Sequence, residues 1–447
     1  MKLISTGLVL AAALLVLPYY SVSAAGLSSA LDPQEQAIAA AVVARESQAL
    51  ALLEQTVNIN SGTKNLAGVR AVGRVFDSAF TELGFATQWI EGAGFERAGH
   101  LVASYGSTGA RLLLIGHLDT VFAADSPFQD WERIDEHHVR GPGITDMKGG
   151  NVVMILALTA LKDAGLLDAV QVRVVLTGDE ESRGRPMDTA NRALIEAAVW
   201  ADYAIGFEDG DGDPATAVVS RRSAGNWTLE VSGKPAHSSQ IFRDDIGYGA
   251  IFESARILDT WRHSLAAVPN LTFNPGRIIG GTQISNDASG DRGTAFGKNN
   301  VIAQTVRVSG GIRADSPQQL DMAIEQMAAI VSESLPHTQT NFTFTPGYPP
   351  MARTQGNLDL LARYTAISQA LGYGEVLPVD PRRAGAADIS FAAEHVRGAI
   401  DGLGLMGEGG HTIDETADMR TLRQQAQRAA FLFYRLSDDD HHSAALQ

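Results

Sequence analysis

Residues 112–120 read LLLIGHLDT, and residues 151–176 read NVVMILALTALKDAGLLDAVQVRVVL. The first opens on a continuous apolar run, Leu112 to Ile115, that reads as a buried strand. The second is a long apolar helix from about Asn151 to Ala164, after which Val170 to Leu176 returns as a strand. Short continuous apolar strands alternating with helices predict an α/β fold, a mostly parallel sheet flanked by helices on both faces. In such sheets chemistry gathers at the carboxyl ends of the strands.

The pattern extends outward from this centre. Asp32 can cap a helix that begins with Pro33 and repeats apolar residues from Ile38 through Leu53. A second helix is expected from Val69 to Leu83, stopped by Gly84, and strands from Phe85 to Ile90 and Leu101 to Tyr105. After Arg221 the character changes. Trp227 to Val231 alternates, and helical stretches near Tyr248–Trp261 and Pro317–Ser334 point to an inserted α+β unit over 222–337. The α/β pattern resumes with a helix over Leu358–Leu371 and ends with one over Met419–Leu436, leaving Asp438 to His442 as a frayed, solvated tail. The expected division is therefore 1–24, 25–221, 222–337 and 338–447.

The chain has 447 residues, 45% hydrophobic and 19% charged, and a formal charge of −16. That excess of acid repels a phosphate backbone, so nucleic acid is not an expected partner. With no cysteine, disulfides, thiolate zinc sites and cysteine nucleophiles are all excluded, and any metal must be held by His, Asp and Glu. Lys2, the apolar run Leu8 to Pro18 and the small residues Val22-Ser23-Ala24 read as a signal peptide cleaved after Ala24, with an uncleaved anchor as the alternative. The apolar run is short for a span, and no other stretch approaches about 20 apolar residues. A periplasmic or secreted product with no stable membrane span after cleavage is expected.

Five segments carry candidate chemistry. In Gly116-His117-Leu118-Asp119-Thr120, residues two apart on a strand share a face, so Asp119 can accept a hydrogen bond from one ring nitrogen of His117 while the other binds metal. A satisfied core or surface histidine is the competing reading. Residues 141–150, GPGITDMKGG, form a glycine-rich turn entering the apolar helix. A plain tight loop and an anion cradle both remain open, although P-loop spacing is absent. Asp146 beside a helix start would be ionised and able to bridge two cations. Asp179, Glu180 and Glu181 crowd the end of the Val170–Leu176 strand, where they repel one another unless solvated or relieved by a cation. Glu208 follows the apolar run Tyr203 to Phe207, and His411 follows an expected strand from Leu403 to Met406. Together these supply two His and three carboxylates plus a spare, the complement for two divalent cations sharing Asp146. The spare, Glu180, has the place of a general base.

With these residues in order, the chain resembles the dinuclear zinc aminoacylase and carboxypeptidase superfamily, and looks most like the carboxypeptidase G type glutamate carboxypeptidases. The resemblance rests on GHLDT at 116–120, GPGITDMKGG at 141–150, TGDEESRG at 177–184, FED at 207–209 and GGHT at 409–412, with intervals of 29, 35 and 27 residues separating His117, Asp146, Glu181 and Glu208. It implies a zinc-exopeptidase-like catalytic domain, an inserted dimerisation or lid domain and a homodimer. It also implies two Zn2+ ions per chain, other divalent cations being possible. His117 and Glu208 would complete one site, Glu181 and His411 the other, with Asp146 bridging and Glu180 the base. The bond joining Asp146 to Met147 is cis in relatives and is expected to be so here. His237, in Gly233-Lys234-Pro235-Ala236-His237, matches a histidine that reaches the partner's active site and helps hold the oxyanion. Asn300 and Arg313 match positions that hold a substrate carboxylate, a task to which an arginine fork is suited. A solvated Arg313 and a surface His237 are the plainer alternatives. One departure stands out: Gly385-Ala386-Ala387-Asp388 replaces a Gly-Gly-Thr-Asp type segment that lines the substrate pocket in relatives, so substrate identity does not transfer. Thr412 after His411, where relatives often have Ser, is a milder one.

The expected function is hydrolysis of an amide bond next to a free-carboxylate amino acid, in a small peptide or N-acyl amino acid. An N-acyl amino acid deacylase or dipeptidase has the same metal chemistry. A non-catalytic binding protein retaining the fold predicts gaps in the metal set, and the sequence has none.

Overall fold

The computed structural model describes residues 31–287 and 290–437; the expected signal peptide and the 438–442 tail lie outside the described residues. The opening helix, Pro33–Val57, begins as the sequence suggests: the Asp32 carboxylate accepts the Glu35 N–H at 2.7 Å while Glu35 accepts the Asp32 N–H at 3.1 Å, a capping box. The second, Leu66–Leu83, ends on Gly84 at φ +94°.

The main sheet has six strands in the spatial order Ala86–Glu91, Gly99–Tyr105, Gln171–Thr177, Arg111–His117, Tyr203–Gly206 and Gly398–Ile400. The last four are mutually parallel, but the first two pair antiparallel with each other, and Gly99–Tyr105 runs antiparallel to Gln171–Thr177. The sheet is thus mixed, more so than the sequence suggests. Glu91 and Gly99 are too close in sequence for the dozen or more residues a parallel crossover needs. One correction concerns Leu403 to Met406, which form no strand. The strand is Gly398–Ile400, and at Gly402 (φ +78°) the chain turns into the core, where Leu403, Leu405 and Met406 are buried.

Helix Gly149–Asp163 is buried from Gly149 through Leu158, packed among Pro33–Val57, Arg420–Ser437 and the sheet. Residues 144–163, which contain the apolar helix expected over Asn151–Ala164, have the length and apolarity of a membrane span, contrary to the expectation that no stretch beyond the leader approaches one, yet the apolar window is 89% buried inside the protein. The glycines at its start explain themselves by contact: a Cβ at Gly150 would lie 1.8 Å from the Phe207 carbonyl oxygen, and one at Gly149 2.2 Å from that of Ile144. Gly150→Ala should therefore lower stability by about 1–3 kcal/mol, the usual range for overpacking, and push against the strand end that carries Glu208. Urea unfolding of the variant checks this; an unchanged midpoint would show that the helix shifts freely.

A second sheet, wholly antiparallel, runs Thr272–Gly281, Thr305–Arg313, Ala224–Gly233 and Thr338–Tyr348. It continues past residue 337 to Tyr348. Gly225, Trp227, Leu229 and Val231 point to one face, which packs on helices Gly249–Leu265 and Pro317–Ser332 through a Trp227–Trp261 edge contact at 5.1 Å. Both indole N–H groups are satisfied, by the Gly311 and Met327 carbonyls. A small antiparallel sheet of Gly407–Glu408, Thr416–Asp418, His138–Arg140 and Glu132–Arg133 joins segments nearly 300 residues apart, and so sets the loop of His411 beside the loop of Asp146.

Candidate active site

His117 is the last residue of its strand and is buried. Its Nδ1 lies 3.0 Å from the Asp119 carbonyl oxygen, so Nδ1–H donates there and Nε2 is left as the free donor atom. The expected partner was the Asp119 carboxylate, which is farther away at 3.6 Å. That carboxylate instead accepts the Thr63 hydroxyl at 2.6 Å and the backbone N–H groups of Glu180 and Glu181 at 3.0 and 3.1 Å. Asp119 therefore fixes the turn that presents both glutamates.

Asp146 lies in the turn ahead of helix Gly149–Asp163 with non-helical φ/ψ, not on the helix itself. The Asp146–Met147 bond is cis. One carboxylate oxygen of Asp146 is 2.9 Å from His117 Nε2 and the other 2.8 Å from His411 Nε2. Glu208 Oε1 stands 3.6 Å from His117 Nε2, and Glu181 Oε2 stands 3.3 Å from His411 Nε2. The result is two triads, His117–Asp146–Glu208 and Asp146–Glu181–His411, each with one ligand atom per residue within 4.8 Å of the others and with Asp146 common to both.

The electrostatics of this cluster are those of an anionic cage. Burial pushes the Glu180 carboxyl up to about 7, against the attraction of His117 and Arg183. Burial and the neighbouring Asp146 push Glu181 up to about 10, and Glu208 rises well above the ordinary range for the same reasons. In Asp146 hydrogen bonds from His117 and His411 overcome burial and hold the carboxyl low. His117 is pulled down by burial but driven higher by Glu208, Asp146 and Asp119, and His411 is raised by its bond to Asp146. Glu181 Oε1 is buried with no hydrogen-bond partner. Crowded carboxylates, an orphaned buried oxygen and two imidazole nitrogens facing opposite oxygens of one Asp fit a pair of divalent cations.

Several supporting residues hold the site through contacts that the sequence does not specify. Asp401, buried, accepts the Glu208 and Gly402 N–H groups at 3.2 and 2.7 Å and pairs with buried Arg221. Arg183 donates to Asp179 at 2.6 Å and to the Tyr348 hydroxyl at 2.8 Å and pairs with Asp388; Tyr348 in turn donates to the Glu180 carbonyl at 2.7 Å. Asp209, beside Glu208, is raised to about 7 by burial and by Asp146. Glu415 and Lys148 are buried against the Asp146 loop. Asp179, Arg183, Asp209 and Lys148 lie inside quoted segments, but only the fold reveals their partners.

The remaining candidates are not gathered with these within one chain. Arg313 is exposed at the catalytic end of the second sheet, paired in register with Thr272, and lines a cleft of about 310 Å3 with Asn226, Thr272 and Asn274. His237 and Asn300 are exposed together at the other end, where His237 bridges Val301 and Ser238 donates to the Asn300 carbonyl. The ten residues of Ala224–Gly233 separate the two ends, roughly 30 Å at strand rise. Asn300 and Arg313 therefore do not form one clamp within a single chain. Gly385 is exposed, its carbonyl taken by Arg221 Nη1 at 2.7 Å, while Ala387 is buried.

Comparison with known proteins agrees with this geometry. The chain is 26% identical over 388 residues to carboxypeptidase G2 of Pseudomonas sp. (strain RS-16), covering 85% of this chain and 87% of that one. It is 26% identical over 375 residues to a succinyl-diaminopimelate desuccinylase of Magnetococcus marinus, covering 78% and 89%. The fold matches the crystal structure of the Bacillus subtilis YXEP protein, described as a dinuclear metal binding peptidase from the M20 family, with a TM-score of 0.62 at 15% identity over 89% of this chain and 99% of that one. A profile of one peptidase family matches residues 113–434, which span every residue of both triads, and the chain accordingly belongs to Peptidase family M20/M25/M40.

Proposed function

We propose that this protein is an exported, dinuclear metal-dependent hydrolase that cleaves the amide bond next to an amino acid bearing a free carboxylate. The observation that carries the reading is the division of Asp146, one oxygen toward His117 and Glu208 and the other toward His411 and Glu181. His117, Glu208 and Asp146 would hold one cation, and Glu181, His411 and Asp146 the other; zinc suits this nitrogen and oxygen set. Such cations supply the charge that acidifies a water and polarises an amide carbonyl. Glu180, the carboxylate that neither triad uses, takes a proton from the attacking water and passes it to the leaving nitrogen. Asp119 holds the Glu180 backbone on one side and Tyr348 on the other, so the base is aimed without needing its own carboxylate for anchorage.

Arg313 supports the choice of substrate. It stands at the cleft end nearest the catalytic sheet with its guanidinium exposed, ready for a bidentate grip on a carboxylate. His237 and Asn300, at the far end of the same sheet, fit a role in the site of a second copy, which supports a homodimer. Export is supported by the leader-like N-terminal residues. N-acyl glutamate, folate-like conjugates, dipeptides and acetylated amino acids, each assayed as the free acid and as its C-terminal amide, test the reading. Carboxylate-bearing substrates should be preferred, and Arg313→Ala should raise KM for them about 10- to 100-fold, the loss of a charged hydrogen-bonded contact, with kcat little changed. Uniform inactivity on carboxylate-bearing substrates defeats the proposal in favour of a deacylase with another acyl pocket or a binding protein.

A further inference from the structure

Glu415 is fully buried and takes no part in the chemistry above, yet its side chain is aimed at the loop that carries Asp146. Oε2 accepts the Gly143 N–H at 2.8 Å. Oε1 accepts the N–H groups of Thr145 and Asp146 at 2.9 and 3.1 Å and the Thr145 hydroxyl at 3.2 Å. The Glu415 carbonyl oxygen takes a further N–H, from Gly141, at 3.2 Å. The same loop is held by the buried Lys148 ammonium, which donates to the carbonyls of Pro142 at 3.1 Å and Ile59 at 3.0 Å.

Buried charges are costly even when hydrogen-bonded, and a connection between strand His138–Arg140 and helix Gly149–Asp163 needs neither of them. What they fix together is the backbone on both sides of Asp146, whose carboxylate has to face two imidazoles at once. Glu415 also ends the turn that contains His411: its own N–H bonds the Thr412 carbonyl at 3.2 Å, and the Thr412 N–H bonds that of Gly409 at 3.0 Å. One side chain thus ties the loop of the bridging ligand to the loop of a terminal ligand, across 269 residues of sequence.

We propose that Glu415 is a positioning residue that sets the spacing between Asp146 and His411 and thereby the affinity of the cation site formed by Asp146, Glu181 and His411. The inference rests on the two-cation reading above. In Glu415→Gln the shape is kept, but an NH2 group replaces an oxygen that must accept backbone N–H groups, so at least one of those bonds is lost.

The full chain, stripped of metal with a chelator, is titrated with Zn2+ against a chromophoric competitor. Wild type should bind two Zn2+ per chain. Folded Glu415→Gln should lose about 10- to 100-fold in one affinity, the usual effect of disturbing a ligand's supporting partner, and less in the other, which shares Asp146 but not His411. If that variant does not fold, hydrogen exchange in wild type decides: the amides of Gly143, Thr145 and Asp146 should be protected in the metal-stripped chain, before any cation binds. A folded Glu415→Gln with both affinities unchanged, or free exchange of those three amides in the stripped wild type, overturns the inference. Wild type that takes up no Zn2+ sinks the two-cation reading itself, and the inference with it.

Discussion

Glu180→Gln should lower kcat by about 10²- to 10⁴-fold, the contribution of a positioned general base, while leaving cation binding and KM close to wild type. The isosteric amide keeps the backbone contacts to Asp119 and Tyr348 that place the side chain, so the loss reports on proton transfer and not on geometry. The substitution also removes a buried carboxyl pushed up to about 7, so the metal-stripped variant should be at least as stable as stripped wild type above that pH. A variant with kcat within threefold of wild type, and two cations bound, would place the base elsewhere.

Stripping the cations should abolish hydrolysis and reverse the pH dependence of stability. In the cation-free chain Glu180, Glu181 and Glu208 have folded pKa values raised by burial and by neighbouring carboxylates, Asp146 first among them, Glu180 to about 7 and Glu181 to about 10. An unfolded glutamate releases its proton near 4.5. Between that pH and about 10 the folded state holds more protons than the unfolded one, so stability falls as pH rises. His117 and His411 act in the same direction: their folded values are raised, so what they contribute is complete below about 6.5 and disappears as pH climbs through the folded value. Asp146 opposes them only in acid, where its depressed pKa gives stability that is lost as pH falls below the usual carboxylate range. Thermal unfolding of the stripped protein should therefore show a maximum on the acid side of neutrality. Added Zn2+ should raise Tm most at high pH, each site filled to a hundred times its Kd contributing about 2.7 kcal/mol. A stripped chain as stable at pH 9 as at pH 5 would mean that the acidic side chains are solvated and not caged.

Local sequence was a good guide where one element decides the outcome. The capped start at Asp32, the stop at Gly84, the buried strands before His117 and after Val170, and the helix entered through Gly149 and Gly150 all follow from periodicity and turn chemistry. His117, Asp146 and Glu181 lie in distinctive segments at or near element ends, whereas Glu208 and His411 would not be noticed in isolation and were legible only in combination with them; the structure brings all five together. Leu403–Met406 misled because three buried apolar side chains in four residues look alike in a strand and in an irregular core segment; only Gly402 at positive φ and the Asp401 carboxylate show which it is. Asn300 and Arg313 look like one clamp along the chain, but strand geometry holds them at opposite ends of a sheet.

The sequence by itself determined the layered α/β plan and which candidate donor side chains the chain offers, because side-chain chemistry and hydrophobic period are local properties. Tertiary structure alone decided which atom meets which: that Asp119 grips the glutamate turn instead of the His117 ring, that Asp401 steadies Glu208, and that Glu415 reaches across from the His411 turn to the Asp146 loop. These are hydrogen bonds between groups far apart in the chain, and no local pattern encodes a partner that only the packing of the sheets and helices brings within 3 Å or so.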